Sequence, residues 1–206
     1  MRDKDKAAIF DCATSLAVTI TEQCDALVEM CDYIDERVMI SRRISSFESN
    51  ADDTFHDLGF YFLENKLMSD PDAFLLFEIV KRLEAITDGY EEVANSLVRY
   101  NISESGESLQ ECATALYGAS QLAYELLINL RDKAPSSLIL RDLNNLDRYK
   151  SKYCKFYDEV ILELFSEPHD PVEIIRTKAI YDAFKDIFEA YEEFTEAFYR
   201  YILSYL

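Results

Sequence analysis

The sequence predicts an all-α protein of six long helices arranged as two three-helix bundles. Glycine and proline are scarce, with four of each in 206 residues, which favours long uninterrupted helices over the frequent turns that a sheet needs. Apolar residues recur in steps of three and four along most of the chain, which is the period of a helix with one buried face. The apolar share of 49% and the charged share of 30% are typical of a globular protein.

The first half of the chain is predicted to form three helices. The first runs from about Lys6 to Tyr33 and the second from about Asp35 to Lys66. Asp70-Pro71 then starts the third helix, because an N-cap aspartate precedes a proline at the first helical position. This helix runs to about Asn101, and its apolar positions alternate as they do in helical bundles: Leu76, Ile79, Leu83, Ile86, Tyr90, Val93 and Leu97.

The second half is predicted to form three more helices. The fourth runs from about Leu109 to Asp132 and the fifth from about Ser137 to Glu167. A second Asp-Pro pair, Asp170-Pro171, starts the sixth helix, which runs nearly to Leu206. Its aromatic stripe is interpreted as core rather than as a cofactor pocket: Phe184, Phe188, Tyr191, Phe194, Phe198, Tyr199 and Tyr201.

The two halves share short matches in the same order, shifted by about one hundred residues. The matches are Cys12-Ala13-Thr14 with Cys112-Ala113-Thr114, Asp70-Pro71 with Asp170-Pro171, Tyr90-Glu91-Glu92 with Tyr191-Glu192-Glu193, and Arg99-Tyr100 with Arg200-Tyr201. They indicate an internal duplication of a three-helix unit. We therefore expect a first repeat at 1–102, a polar linker at 103–108 and a second repeat at 109–206.

Acidic residues lie beside the apolar faces of the second and third helices. Glu48, Asp52 and His56 follow one another at intervals of four, and so do Glu84 and Asp88. Carboxylates at this spacing share a helix face and repel each other. A hard or borderline metal ion would balance them with oxygen ligands, and His56 offers a nitrogen ligand. We predict a metal site at these five residues, with iron, zinc or manganese as candidates and no organic cofactor; two solvated acidic faces are the open alternative.

The equivalent positions of the second half have lost part of this pattern. Lys150, Cys154 and Asp158 stand where the first half has Glu48, Asp52 and His56, and Lys185 and Glu189 stand where it has Glu84 and Asp88. A lysine ammonium neutralises nearby carboxylates without a metal, so we expect Lys150 and Lys185 to pair with Glu189 and Asp158. The metal site is therefore expected only in the first half.

The net charge of the chain indicates which binding partners to expect, and its cysteines indicate the cellular compartment. The formal net charge of −19 repels nucleic acid and anionic membrane surfaces, so a cation or a basic protein face is the expected partner; the excess charge also serves solubility. Five cysteines without a CxxC pair fit a reducing compartment. The charged N-terminus lacks the apolar core of a signal peptide, and no apolar run is long enough to insert into a membrane. A cytoplasmic location is expected.

Three segments resemble signature motifs of the PhoU-like proteins. Residues 47–52 (FESNAD) are similar to the family's L-E-x-x-A-D motif, and residues 83–88 (LEAITD), after Asp70-Pro71, to its L-D/E-x-I-x-D motif. Residues 170–182 (DPVEIIRTKAIYD) look like its DP-x-E-x-I-x-x-K-x-I-Y-D run. The order and spacing of the three segments cover almost the whole chain. The closest resemblance is to the phosphate transport regulator branch, whose members accompany Pit-type phosphate permeases.

This resemblance implies a PhoU-like fold and a cytoplasmic, non-enzymatic regulatory or accessory protein for phosphate transport. It implies metal bound at the E/D-x3-D motifs, as in some PhoU relatives, and an inner-membrane phosphate permease or an associated signalling protein as partner. A homo-oligomer is left open. The second half departs from the family pattern at Lys150, Cys154 and Lys185, which puts a second metal cluster in doubt.

Two other functions are alternatives to this interpretation. A carboxylate-bridged di-iron enzyme needs Glu-x-x-His pairs, but Asp53 and Ser166 stand three residues before His56 and His169, the only histidines. Glycine-rich phosphate loops are absent as well, and neither Cys112 nor Cys154 has an evident base for nucleophilic catalysis. The other rival is a metal-free helical scaffold or adaptor that binds a protein partner through its acidic faces.

Overall fold

Six long α-helices make up almost all of the computed structural model, which describes residues 1–166 and 170–204. Short 3₁₀ turns at Ile34–Glu36 and Leu67–Ser69 precede the second and third helices, and the described residues contain no strand. The predicted all-α class is therefore confirmed. The helices are α1 (Asp3–Asp32), α2 (Arg37–Asn65), α3 (Pro71–Arg99), α4 (Glu107–Arg131), α5 (Ser136–Ser166) and α6 (Pro171–Leu203).

Both Asp-Pro pairs start helices, as predicted. The Asp70 carboxylate accepts hydrogen bonds from the backbone N–H groups of Asp72 and Ala73, at 3.0 and 3.3 Å. The Asp170 carboxylate accepts one from the backbone N–H of Val172 at 2.9 Å. These bonds satisfy N–H groups that have no partner inside the helix. The predicted helix ends at Glu167 and Leu206, and His169, lie outside the described residues.

Three helices end at non-glycine residues in the left-handed region of backbone space. Lys66 follows α2 with φ of 57°, Asn101 follows α3 with φ of 52°, and Lys133 follows α4 with φ of 56°. After α3, the backbone N–H of Ile102 reaches back to the carbonyl of Leu97 at 3.0 Å, which closes the helix end in the manner of a Schellman motif. The turns of this chain therefore need no glycine, which explains how long helices are joined in a sequence with so few.

The two halves differ in how closely their helices pack. In the first half α1, α2 and α3 all pack against one another, whereas in the second half α5 packs against α4 and α6 but α4 touches α6 only slightly. The halves meet where α1 packs on α4 and α3 packs on α6. One hydrophobic cluster includes residues from all six helices, so the core is continuous across the predicted linker. The division into two repeats stays a prediction.

The interface between α3 and α6 lies at the centre of this core. Tyr90 and Tyr191 are almost completely buried, and their hydroxyl oxygens are 3.2 Å apart. Gly89 lies so close to α6 that a Cβ at this position would be 2.8 Å from Cγ1 of Ile187. All seven apolar positions predicted for α3 are buried, and so are the aromatic residues predicted for α6 apart from the half-buried Tyr199.

The remaining sequence-based expectations concern cysteines and membrane spans. All five cysteines are free thiols, and four of them are buried, where they pack as small apolar side chains. Within residues 1–166 and 170–204, no helix combines the length and the apolar character that crossing a lipid bilayer requires.

Candidate metal site

Three carboxylates converge at the contact between α2 and α3. Glu48 and Asp52 lie one turn apart on α2, and Asp88 lies on α3. Each offers one carboxylate oxygen, and these oxygens all lie within 4.8 Å of one another. Glu48 and Asp52 are half-buried, and Asp88 is exposed. We call this set the carboxylate cluster.

Aromatic side chains hold the two helices at the distance that brings the carboxylates together. Phe77 of α3 stacks on Phe55 of α2 with ring centroids 5.5 Å apart, and it also contacts Phe62 at 4.7 Å. Ala51, which precedes Asp52, is buried. Ile44, Leu58 and Phe62 of α2 are buried as well. The apolar face of α2 therefore packs against the core and leaves Glu48 and Asp52 at the groove between the helices.

Three carboxyl groups in this groove, those of Glu48, Glu84 and Asp88, have raised pKa values. Burial raises the pKa of Glu84 from 4.5 to about 7, with further contributions from Asp88 and Asp52 and a partial compensation by His56. Burial and the negative charges of Asp52, Glu91 and Asp88 raise the pKa of Glu48. Burial, Asp52 and Glu91 raise the pKa of Asp88. Negative charge in this groove is therefore poorly balanced.

The protein's own cations do not remove this imbalance. In the part of the chain that the structure describes, Glu48, Asp52, Glu84 and Asp88 form no ion pair with lysine or arginine. Among the described residues, the hydrogen bond that Glu48 accepts comes from the Ser49 hydroxyl, which donates to Oε2 at 3.4 Å. A bound cation would supply the missing positive charge.

The five predicted metal ligands do not all join the cluster. Glu48, Asp52 and Asp88 do, whereas Glu84 and His56 lie outside the set of oxygens within 4.8 Å. Glu84 is near enough for Asp52, Asp88 and His56 to influence its pKa, and the His56 side chain is exposed. The sequence analysis missed Glu91, whose charge acts on both Glu48 and Asp88. The signal was present, because Glu91 continues the Glu84–Asp88 stripe one turn further along α3.

The chemistry of the donors fits a hard or borderline cation. All three cluster ligands are carboxylates, which suit magnesium, calcium, manganese and iron and also bind zinc. The described cluster contains neither a thiol nor a nitrogen donor, since its three members are all carboxylates. Three protein oxygens leave further coordination positions for water. A bound metal would lower the pKa of Glu48 and Asp88 and favour their charged forms.

The second half balances its acids with lysines, but both lysines have other partners than predicted. Lys185 contacts Glu189 of its own helix at 3.2 Å and not Asp158. Lys150 instead contacts Glu192 at 2.8 Å, because Glu192 lies one turn further along α6 and Glu189 already pairs with Lys185 on its own helix. Asp158 is exposed and forms no ion pair among the described residues.

The buried thiols are poorly suited to nucleophilic chemistry. Burial raises the pKa of Cys112 far above its usual range, and it raises the pKa of Cys12, Cys24 and Cys31 to about 12. Because the thiolate is the reactive form of cysteine, these side chains are inert at neutral pH. Cys154 is half-buried.

Comparison with known proteins identifies no relative. Neither the models of known protein families nor a search of curated proteins gives a match to this chain. The resemblance to PhoU-like proteins consequently rests on the motifs, and the function that follows from it is a proposal.

Proposed function

We propose that this chain is a PhoU-like, non-enzymatic regulatory protein for phosphate transport that binds a metal ion through the carboxylate cluster. The observation that carries the metal-binding part is the convergence of Glu48, Asp52 and Asp88 within 4.8 Å without a basic partner among the described residues. Iron, zinc or manganese would be held by these three carboxylates, and the ion would supply positive charge between α2 and α3.

Two features support the PhoU-like fold and its internal duplication. Tyr90 and Tyr191, which the duplication equates, lie side by side with hydroxyl oxygens 3.2 Å apart. Asp70 and Asp170, another equated pair, cap their helices in the same way. An approximate two-fold relation between the repeats would bring such equivalent residues together.

The link to phosphate transport comes from the resemblance in residues 47–52, 83–88 and 170–182. In this proposal the protein acts in the cytoplasm and its partner is an inner-membrane phosphate permease or an associated signalling protein. Metal binding would relieve the repulsion between the acidic faces of α2 and α3 and so stabilise the first half of the protein.

A thermal melt tests metal binding. We expect EDTA to lower the Tm of the purified protein and added Mn²⁺ to restore it, because an ion that binds only the folded state stabilises that state. The double variant Glu48→Gln, Asp88→Asn should lose this response. The control variant Glu22→Gln, Asp25→Asn, which changes two exposed acids on α1, should keep it.

The transport role needs its own test, since the cluster binds metal whether or not phosphate is involved. Deleting the gene should change the uptake of radiolabelled phosphate by the source organism, and the wild-type gene should restore it. If uptake is unchanged and the melt does not respond to EDTA or Mn²⁺, the proposal fails and the protein is better explained as a metal-free helical adaptor.

A further inference from the structure

Basic residues are concentrated in one segment of this acidic chain. Residues 131–155 contain seven of the 21 lysines and arginines but only three of the 40 acids. The segment covers the end of α4 and the first two-thirds of α5. Such local excess of positive charge in a chain of net charge −19 marks a surface with its own electrostatic character.

Four of these residues form one stripe along α5. Arg141, Arg148, Lys152 and Lys155 follow at intervals of seven, four and three, so they share a helix face about 20 Å long, and all four are exposed. Arg141 pairs with the buried Asp142 at 2.8 Å. Within residues 1–166 and 170–204, the other three make no ion pair, although acids outnumber bases almost two to one in this chain.

The stripe borders a groove between α4 and α5. Two depressions of about 550 and 470 Å³ adjoin along the groove, and Tyr149 and Lys152 line both of them. Ala115 and Leu122 of α4 add apolar surface. Gly118 makes room for the Tyr149 ring, because a Cβ there would lie 2.2 Å from the tyrosine hydroxyl oxygen. The groove thus has an apolar floor and basic side chains on its α5 side, and Glu107 and Glu111 line its α4 side at one end.

This combination matches an acidic amphipathic helix better than other anionic partners. An amphipathic helix buries its apolar face in such a groove, and its acidic face would meet Arg148, Lys152 and Lys155. A flat anionic membrane would cover both sides of the groove and meet Glu107 and Glu111 on α4, whereas a helix can turn its acidic face toward α5 alone. A second copy of the chain would bring two net charges of −19 together.

We propose that the groove between α4 and α5 is a docking site for an acidic amphipathic helix of a partner protein. Arg148 and Lys152, which line the groove, provide charge complementarity together with Lys155 one turn further along α5, and Ala115, Leu122 and Tyr149 receive the apolar face. The docking site shares no residue with the carboxylate cluster. The test of peptide binding is therefore independent of the test of metal binding.

Fluorescence anisotropy with a labelled synthetic peptide tests this proposal. The probe is a helix of about eighteen residues with leucine at helical spacing, glutamate on one flank of the leucine stripe and glutamine on the other. The groove variant Arg148→Gln, Lys152→Gln, Lys155→Gln is compared with a control variant, Lys4→Gln, Arg42→Gln, Arg176→Gln, which removes three other exposed charges. Wild type and control should bind the peptide, the groove variant should bind at least about tenfold more weakly, and about 0.5 M salt should weaken binding. Circular dichroism checks that each variant is folded.

Several results would overturn the proposal. The proposal is overturned if the wild type does not bind the peptide. It is also overturned if the groove variant binds the peptide as tightly as the wild type does. A scrambled peptide of the same composition that binds as tightly would reduce the effect to general attraction of polyanions. Binding of anionic vesicles that is lost in the groove variant, without peptide binding, would identify a membrane surface. Self-association that only the groove variant loses would identify a second copy as the occupant.

Discussion

At the scale of single residues, the carboxyl group of Glu84 shows most clearly that negative charge in the first half is unbalanced. Burial, with Asp88 and Asp52, raises its pKa from 4.5 to about 7. The folded state therefore holds this proton more tightly than the unfolded state does. By linkage, the contribution of Glu84 to the free energy of unfolding falls as the pH rises from about 4.5 through about 7.

The variant Glu84→Gln should remove this pH dependence. With EDTA present, we expect the Tm of the variant to exceed that of the wild type by a few degrees at pH 8, since about 1 kcal/mol shifts the Tm of a chain of this size by about 2–4 °C. The difference should vanish near pH 4.5, where the wild-type carboxyl is protonated. Differential scanning fluorimetry across this range measures the effect.

The control for this experiment is Glu22→Gln, which changes an exposed acid on α1. Its Tm should follow that of the wild type at every pH. If Glu84→Gln also follows the wild type, the carboxyl of Glu84 is not destabilised in the folded protein, and the description of the groove between α2 and α3 is wrong.

The candidate ligands could be predicted from the sequence only in part. Spacing by four places Glu48 with Asp52 and Glu84 with Asp88 on shared helix faces, and the structure brings three of these four together. Spacing does not fix the rotation of one helix against its neighbour, so it could not show that Glu84 and His56 lie outside the cluster. The same limit applies to Lys150, whose partner on α6 depends on how α5 and α6 align.

At the scale of the helices, two glycines illustrate how packing overrides local preference. Gly89 lies against Ile187 of α6, whereas nothing lies within 4 Å of a Cβ built on Gly59 in α2. Alanine favours a helix over glycine by about 1 kcal/mol at either position. Overpacking a close contact costs about 1–3 kcal/mol. At Gly89 this cost should outweigh the gain in helix propensity, whereas at Gly59 no such cost arises.

We therefore expect opposite effects from the same substitution. Gly59→Ala should raise the Tm by a few degrees, and Gly89→Ala should lower it by a similar amount. Thermal unfolding followed by circular dichroism measures both variants under one condition. Equal stabilisation by the two substitutions would mean that α3 and α6 do not approach each other as closely as described.

The helices themselves could be predicted well because their signals are local. The Asp-Pro starts of α3 and α6 and the apolar periodicity of α3 were all visible in the sequence. The ends of α2, α3 and α4 lie within two residues of the predicted ends, although Lys66, Asn101 and Lys133 take the left-handed conformation that glycine usually supplies. The 3₁₀ turns had no signal in the apolar pattern.

At the scale of the whole molecule, the two halves differ in packing and in charge. The first half has three mutually packed helices and an acidic groove, and the second has ion-paired lysines and a basic groove. The count of basic residues in 131–155 was available from the sequence. That they form an unpaired stripe beside a groove depends on how α4 and α5 pack, which the sequence pattern does not determine.

We propose that a metal ion binds in the first half of the protein and not in the second. The most direct test is the metal content of protein purified without chelator or affinity tag, measured by mass spectrometry. The variant Glu48→Gln, Asp88→Asn is compared with Asp158→Asn, Glu189→Gln, which changes acids at the second-half positions equivalent to His56 and Asp88. Both variants remove two negative charges.

We expect about one equivalent of iron, zinc or manganese in the wild type and in the second-half variant, and none in the first-half variant. Metal in all three proteins would mean that the ion binds at a site other than the carboxylate cluster. A wild type without metal that also takes up none from added Mn²⁺ would contradict the claim, and the carboxylate cluster would then be a solvated acidic face.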